Sequence, residues 1–317
     1  MKVLVTAKKV EAGVALLQKE FTVDIKHDLP AEDLLKIIPE YDALLVRADT
    51  KVTKEVIEAG RLLKVIGKAG VGVDYIDVPA ATQKGIIVLN APTGNTIATI
   101  EHTIAMMMAL ARKIPQAYCS IKDGQWQNNK YVGVEMCGKT LGIIGLGRIG
   151  SGVAKRALAM GMNVLAYDPY ISVERAKELK LELVELNEIF AKADFTTIHV
   201  PLTQETKYLI NKDVFAKMKR GVRIVNCARG AVIKESDLLE AIHQEIVAGA
   251  ALDVFEKEPV DPDNPLLGLG NVIYTPHIGA LTEEAVDRVA VDTAEGIRAA
   301  LRGEPVMTAV NMPPLNK

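Results

Sequence analysis

Short apolar runs rich in β-branched residues recur along the chain. Each is followed by a stretch in which apolar residues return every three or four positions. Residues 3–6, 43–46, 65–67 and 86–89 open the series, and residues 141–144, 163–167, 195–200, 223–226, 249–252 and 272–275 continue it. Strands with so few polar interruptions are buried on both faces, as in a parallel sheet covered by helices. Their alternation with helical stretches predicts an α/β fold.

The series breaks once. From about residue 96 to about residue 123 there is no strand signal, and Ile97, Ile100, Ile104, Met107, Met108 and Ala111 recur at helical spacing. One long helix ending near Gly124 is expected there, and a second from Thr282 to Leu301, before Gly303. Two long helices bracketing a βα block read as connectors between domains. Residues 1–95 and 287–317 would form one discontinuous domain, and residues 96–286 the other. The tail from Asn311 to Lys317 reads as a linker or frayed end.

Composition narrows the function classes. Apolar residues are 49% and charged residues 25% of the 317, as in ordinary globular proteins. Lys plus Arg total 38 against 40 for Asp plus Glu, a net charge of −2. That excludes a global basic field for nucleic acid and leaves a local basic pocket open. With 4% aromatics and one Trp, stacking platforms for single strands are not expected. Cys119, Cys137 and Cys227 lie far apart and form no disulfide framework, so a reducing compartment is expected. No apolar run approaches the roughly 18 residues of a membrane span, and the N-terminus turns polar at Lys8-Lys9. A cytoplasmic protein with no membrane, nucleic-acid or metal partner is the expectation.

Candidate chemistry begins at Leu141–Gly150. A strand runs into Gly145-Leu146-Gly147-Arg148-Ile149-Gly150, the G-x-G-x-x-G spacing, and a helical pattern follows. Gly145 permits a tight turn, Gly147 lets backbone approach a pyrophosphate, and Gly150 lets helix pack on strand. The helix-start amides would bind the phosphates. Alone, the motif fits a plain glycine-rich turn equally well. The next strand ends at Asp168, 18 residues after Gly150, where a carboxylate would accept hydrogen bonds from ribose hydroxyls. Pro169 and Tyr170 follow it, with no adjacent cation for a 2′-phosphate, which favours NAD over NADP. The competing reading of Asp168 is a turn residue before proline.

Three charged residues follow strand ends downstream: Arg229, Glu258 and His277. Singly they fit a solvated cation, a surface acid and a polar turn residue. Together, beyond strands that follow a dinucleotide motif, they fit hydride-transfer chemistry on a 2-oxo or 2-hydroxy acid. A guanidinium fork can hold the carboxylate and carbonyl together. An imidazole can give or take the hydroxyl proton near neutral pH, and a carboxylate would orient it.

These residues, with Gly70-Val71-Gly72-Val73-Asp74, Gly94-Asn95-Thr96, His199-Val200-Pro201-Leu202-Thr203, Asn226-Cys227-Ala228-Arg229-Gly230, Ala251-Leu252-Asp253-Val254-Phe255 and Pro276-His277-Ile278-Gly279-Ala280, resemble the D-isomer-specific 2-hydroxyacid dehydrogenases over essentially the whole chain. Within that family the sequence is most similar to the catalytic portion of members that oxidise phosphoglycerate. The resemblance implies two doubly wound parallel-sheet domains, a Rossmann NAD-binding domain inserted into a flavodoxin-like substrate-binding domain. It implies that Arg229 binds and polarises substrate, that His277 is the acid/base, and that Glu258 is its carboxylate partner. For the cofactor it implies contacts from Gly145, Gly147, Arg148, Ile149, Gly150, Asp168, Val200, Pro201, Thr206, Cys227, Ala228, Asp253, His277 and Gly279. Cys227 would serve through its backbone and not as a nucleophile.

For substrate, Arg47 matches the position of a phosphate-binding Arg in the phosphoglycerate-oxidising members. Lys51 reads more simply as solvated. The amides of Gly70, Val71 and Gly72 could hold a carboxylate or form a plain tight turn. Asn95 would reach the cleft, cap a helix, or both. The implied reaction is NAD-dependent oxidation of D-3-phosphoglycerate to 3-phosphohydroxypyruvate, the entry to serine synthesis. The alternatives are a hydroxypyruvate or glyoxylate reductase on the same scaffold, another D-2-hydroxyacid dehydrogenase, or an NAD(H)-sensing, corepressor-like binding protein. Relatives pair through the nucleotide domain, and the apolar stretch from Ile104 to Ala111 fits either a homodimer face or core. A chain of this length is expected to be a short form or a catalytic fragment without regulatory domains.

Overall fold

The computed structural model describes residues 1–312. They divide into two compact units, Met1–Thr96 with the residues from Ala280 on, and Ile97–Gly279. The second unit thus interrupts the first in sequence.

In the first unit, β1 (Lys2–Val5), β2 (Thr22–Ile25), β3 (Ala43–Val46), β4 (Val65–Lys68) and β5 (Ile87–Asn90) pair in parallel, in the order β2-β1-β3-β4-β5. This is the flavodoxin-like order. Successive strand residues point to opposite faces, and both faces are covered. Val3, Val5, Leu45 and Leu89 pack with Val289, Ala294 and Ile297 of the helix Glu283–Arg302. Leu4, Leu44, Val46 and Ile66 pack with Leu34, Ile38, Val56 and Ile57. That two-sided burial is why β3 and β4 lack polar alternation.

The helix Glu283–Arg302 is bounded by local chemistry. The Thr282 hydroxyl accepts from Ala285 N at its start, and Gly303 takes the left-handed conformation, φ 72°, at its end.

In the second unit, β6 (Thr140–Ile144), β7 (Asn163–Tyr167), β8 (Glu182–Leu183), β9 (Phe195–Ile198), β10 (Val222–Asn226), β11 (Val247–Leu252) and β12 (Val272–Tyr274) form a parallel sheet ordered β12-β11-β10-β9-β6-β7-β8. Its first six strands have the Rossmann order, and the order reverses between β6 and β9. Ligands in such sheets bind beyond the C-terminal strand ends at that reversal. Ile144, Ile198, Ile224 and Leu252 face Phe190, Phe215 and Leu238 on one side. Leu141, Ile143, Phe195 and Val225 face Met107, Leu110 and Val153 on the other.

One expected element divides. The long helix over residues 96–123 is two helices, Thr96–Arg112 and Ile114–Lys122, with Lys113 left-handed between them at φ 52°. Pro115 explains the break. In a continuous helix its ring would clash with the Ala111 carbonyl, and it has no N–H to donate. Strands β2 and β8 are additions to the expected set. No helix among the described residues is long and apolar enough to cross a membrane.

Candidate active site

The glycine turn follows β6. Gly145 has φ 96°, and a Cβ there would lie 2.6 Å from the His199 carbonyl oxygen. A Cβ on Gly150 would lie 1.9 Å from the Gly145 carbonyl oxygen. Gly147 differs: a Cβ there would meet nothing within 4 Å. The first and third glycines are therefore demanded by this chain's own packing, and the second is not. Gly147 is also the N-cap of the helix Arg148–Ala159 and offers no capping side chain. The first-turn amides there face an open, uncapped cradle that suits a diphosphate.

Asp168 closes β7 beside this turn. Its Oδ2 accepts from Leu146 N at 2.7 Å, and its Oδ1 accepts from Tyr170 N at 2.9 Å. The carboxylate is thus fixed against the glycine loop, and it is only partly buried. The chain fits the dinucleotide expected of it: a glycine cradle, uncapped amides, and an anion for ribose hydroxyls one strand away.

The three charged candidates all follow strands of the same sheet. Arg229 follows β10. Its backbone oxygen accepts from Asn226 Nδ2 at 2.9 Å, and its Nη1 donates to the Ala228 carbonyl at 2.8 Å. Gly230 locks this turn to the next loop, since a Cβ on it would lie 1.9 Å from the Phe255 backbone. That loop carries Glu258, whose Oε1 accepts from Phe255 N at 3.1 Å. Glu256 secures the loop again: its Oε1 accepts from Glu235 N at 2.6 Å, and its Oε2 accepts from Tyr208 Oη at 2.9 Å.

His277 follows β12 and occupies the left-handed region, φ 54°, which is costly for a residue with a Cβ. Its N–H donates to the Asp253 carbonyl at 2.9 Å, and its Nδ1 lies 2.7 Å from Glu258 Oε2. With Nδ1 turned to Glu258, Nε2 lies on the opposite edge of the ring. His277 and Glu258, 19 residues apart in sequence, form an imidazole–carboxylate pair.

The remaining cofactor candidates cluster around the same strand ends. Val200 and Pro201 follow β9, and Thr206 Oγ1 donates to the Pro201 carbonyl at 2.6 Å. Cys227 is buried after β10, and burial, with the Asp253 charge adding, pushes its thiol up to about 12. It stays protonated at neutral pH and is no nucleophile. Ala228 N donates to Asn226 Oδ1 at 3.0 Å.

Asp253 is 1% exposed and turned into the protein. Its Oδ1 accepts from Ile278 N at 2.9 Å, and its Oδ2 accepts from Gly279 N at 2.8 Å. The carboxylate thus holds the turn that carries His277. Burial alone would raise its pKa, but hydrogen bonds led by His102 and Thr275 outweigh it and keep it below the usual carboxylate value.

The substrate candidates belong to the first unit. Arg47 follows β3 and is partly buried, which pulls its pKa down while Asp49 opposes. Lys51 is exposed. The Gly70–Gly72 turn is pinned to the end of β5: Ala91 N donates to the Gly70 carbonyl at 2.9 Å, and Asn90 Nδ2 donates to the Val71 carbonyl at 2.6 Å. Asn95 is partly buried just before the helix Thr96–Arg112.

Two residues escaped sequence reasoning. Lys68 closes β4 at 9% exposure, its Nζ 2.4 Å from where a Cβ on Gly70 would sit, so a cation backs the glycine turn. Its signal was a lysine ending an otherwise apolar strand. His102 lies 3.3 Å from Asp253 Oδ1 through Nε2. Its signal was a polar side chain near Thr99 and Thr103, on the buried face of its helix.

This arrangement is that of an NAD-binding domain with an imidazole–carboxylate pair at its strand ends. The chain belongs to the D-isomer specific 2-hydroxyacid dehydrogenases: the model of that family's NAD binding domain matches residues 104–279. A D-3-phosphoglycerate dehydrogenase of Archaeoglobus fulgidus is 53% identical over 314 residues, which are 99% of this chain and 60% of that protein. A solved structure from Thermus thermophilus superposes with a TM-score of 0.91 at 35% identity, over 98% of this chain and 100% of that one. A D-lactate dehydrogenase of Aquifex aeolicus, solved with NAD and lactic acid, gives a TM-score of 0.87 at 29% identity, over 99% of this chain and 100% of that one. The chain spans 60%, 56% and 50% of the length of the first three phosphoglycerate dehydrogenases it matches.

Proposed function

We propose that the protein oxidises D-3-phosphoglycerate to 3-phosphohydroxypyruvate with NAD, the entry to serine synthesis. The observation that carries the reaction class is the His277 Nδ1–Glu258 Oε2 pair at 2.7 Å, beyond the strand ends of an NAD-binding sheet. The substrate rests on relatives near 50% identity that bear the phosphoglycerate dehydrogenase name and on Arg47.

Bound NAD supplies the hydride acceptor for the substrate C2 hydrogen. Arg229 holds the carboxylate through its fork and polarises the C2 oxygen. His277 Nε2 takes the C2 hydroxyl proton, and Glu258 steadies the imidazolium that results. One hydride and one proton leave the hydroxy acid, so the ketone and NADH form in balance. In the reverse direction His277 returns the proton to the alkoxide. Arg47 is the phosphate cation of this scheme, and the Gly70–Gly72 amides with Lys68 behind them favour an anion. Asn95 completes the substrate contacts.

The test is kcat/KM for phosphohydroxypyruvate, hydroxypyruvate, glyoxylate and pyruvate with NADH. Preference for the phosphorylated acid is the expected result. Preference for an unphosphorylated acid overturns the substrate, leaving a hydroxypyruvate or glyoxylate reductase or another D-2-hydroxyacid dehydrogenase. NADH binding without turnover of any of them marks a corepressor-like sensor.

A cytoplasmic homodimer belongs to the same reading. What supports pairing is the exposed apolar row Ile114, Tyr118, Ile121 and Trp126, at 53%, 65%, 56% and 84% exposure. Light scattering on Tyr118→Lys tests it, with a monomer expected.

A further inference from the structure

We propose that His102 is a positioning residue for catalysis: it clamps the Asp253–Thr275 pair and thereby holds the turn that presents His277. The inference rests on the dehydrogenase reading given above. His102 Nε2 lies 3.1 Å from Thr275 Oγ1 and 3.3 Å from Asp253 Oδ1. Thr275 Oγ1 itself donates to Asp253 Oδ1. A carboxylate only accepts, so the Thr275 hydroxyl proton is committed to Asp253. The His102 nitrogen facing both oxygens must then carry a hydrogen.

This fixes the imidazole with Nε2 protonated and leaves a three-member cluster in which each donor has an acceptor. Its location gives it consequence. Asp253 side-chain oxygens accept from Ile278 N and Gly279 N, and the Asp253 carbonyl accepts from His277 N, so three successive amides of the turn hang on one residue. His277 is the first of the three, in a left-handed conformation that only surrounding bonds can maintain. The His102 side chain is 17% exposed and the Asp253 side chain 1%, so water cannot readily replace the His102 donor. Loss of that donor loosens Asp253, then the turn, then the aim of His277 Nε2. It leaves the glycine cradle untouched.

The test pairs His102→Phe, which fills the volume without a donor, with His102→Gln, which restores an N–H at similar reach. Hydrogen–deuterium exchange of the unliganded full chain is followed in the peptide spanning residues 275–281 and in β6. Kinetics with phosphohydroxypyruvate and ADP-ribose affinity are measured alongside. In His102→Phe the turn is expected to exchange on the order of tenfold faster with β6 unchanged. Its kcat should fall about tenfold, with KM and ADP-ribose affinity held within about twofold, and His102→Gln should recover most of both losses.

Unchanged exchange with near-parental kcat in His102→Phe overturns the proposal. So does a general loosening that reaches β6 and ADP-ribose binding without rescue by glutamine, which marks a merely structural role. If His102→Phe does not fold, Thr275→Val probes the same clamp from its other member, and an unaltered turn in that variant overturns the proposal. A parent chain that turns over no 2-oxo acid sinks the dehydrogenase reading instead, and the exchange measurement still decides the clamp.

Discussion

His277 Nδ1 and Glu258 Oε2 meet at 2.7 Å although their side chains are 44% and 25% exposed. An exposed imidazole–carboxylate contact of this kind contributes little to stability. Its value lies in orientation, because the bond fixes which ring nitrogen faces outward. His277→Asn should therefore lower kcat by about 10²–10⁴-fold, the range of a lost acid/base. Tm and ADP-ribose binding should be unchanged. Glu258→Gln keeps an acceptor but no charge and should cost less. Steady-state kinetics on both variants check this order, and near-normal kcat in His277→Asn refutes the assignment.

Arg229 makes a different prediction because its turn is built by others. Asn226 Nδ2 and the Gly230–Phe255 contact hold the backbone, so replacing the side chain leaves the loop in place. Arg229→Lys keeps the charge and loses the planar fork. A lost bidentate charge-assisted pair is worth about 1.5–3 kcal/mol, so kcat/KM should fall roughly 10–100-fold. Full activity in the lysine variant would mean that a point charge suffices.

Asp168 serves two ends, accepting from Leu146 N while presenting a charge at the end of β7. Asp168→Asn keeps an acceptor for that amide and removes the charge, whereas Asp168→Ala removes both. Both should lower the NAD-over-NADP ratio of kcat/KM by about tenfold or more. The alanine variant alone should also weaken NAD binding, because the Leu146 amide is left unsatisfied. A ratio that stays constant in both places cofactor discrimination elsewhere in the chain.

The fold was legible where burial leaves a simple pattern. Fully buried β3 has no polar position and β4 only its terminal Lys68, and the cap residues Thr282 and Gly303 mark their helix directly. Strand β2, Thr-Val-Asp-Ile at a sheet edge, mixes polar and apolar residues because its burial is only partial. Strand β8 is two residues long and carries no period. The break at Lys113 hid because apolar spacing continues across Pro115, and backbone geometry overrides it there. At the site, Gly145, Gly150, Asp168, Glu258 and His277 could be read from spacing and strand ends. His102 and Lys68 could not, since one is a polar residue inside a helix and the other a strand-end cation. The meaning of His102 comes from Asp253, far away in sequence, and that of Lys68 from the fold of its side chain back over the turn at Gly70, which no periodicity marks.

His199 gives the stability a pH dependence. It hydrogen-bonds Thr197 through Nε2, and burial pulls its pKa down from 6.5 to about 4. The unfolded chain therefore binds a proton that the folded chain refuses between those values. Above pH 6.5 both states are neutral and this stability is fully present. As pH falls toward 4 it is lost, by about 3 kcal/mol at most. Urea denaturation at several pH values checks this: His199→Gln should flatten the slope over that window, and an unchanged slope would assign it to carboxylates.

Gly147 and Gly150 stand three residues apart and should fail in opposite ways. A Cβ on Gly150 would sit 1.9 Å from the Gly145 carbonyl oxygen, inside any van der Waals limit, so β6 and its helix must separate. Gly150→Ala should cost about 3 kcal/mol or more, lowering Tm by roughly 5–10 °C, and NADH binding falls with it. A Cβ on Gly147 meets no protein atom within 4 Å, and its φ of −60° suits alanine. Gly147→Ala should therefore keep its Tm while NADH affinity drops on the order of tenfold, because the methyl occupies the space a diphosphate needs. Thermal melts beside fluorescence titration with NADH separate the two. Unweakened NADH binding in Gly147→Ala would place the diphosphate away from the uncapped amides of the helix Arg148–Ala159.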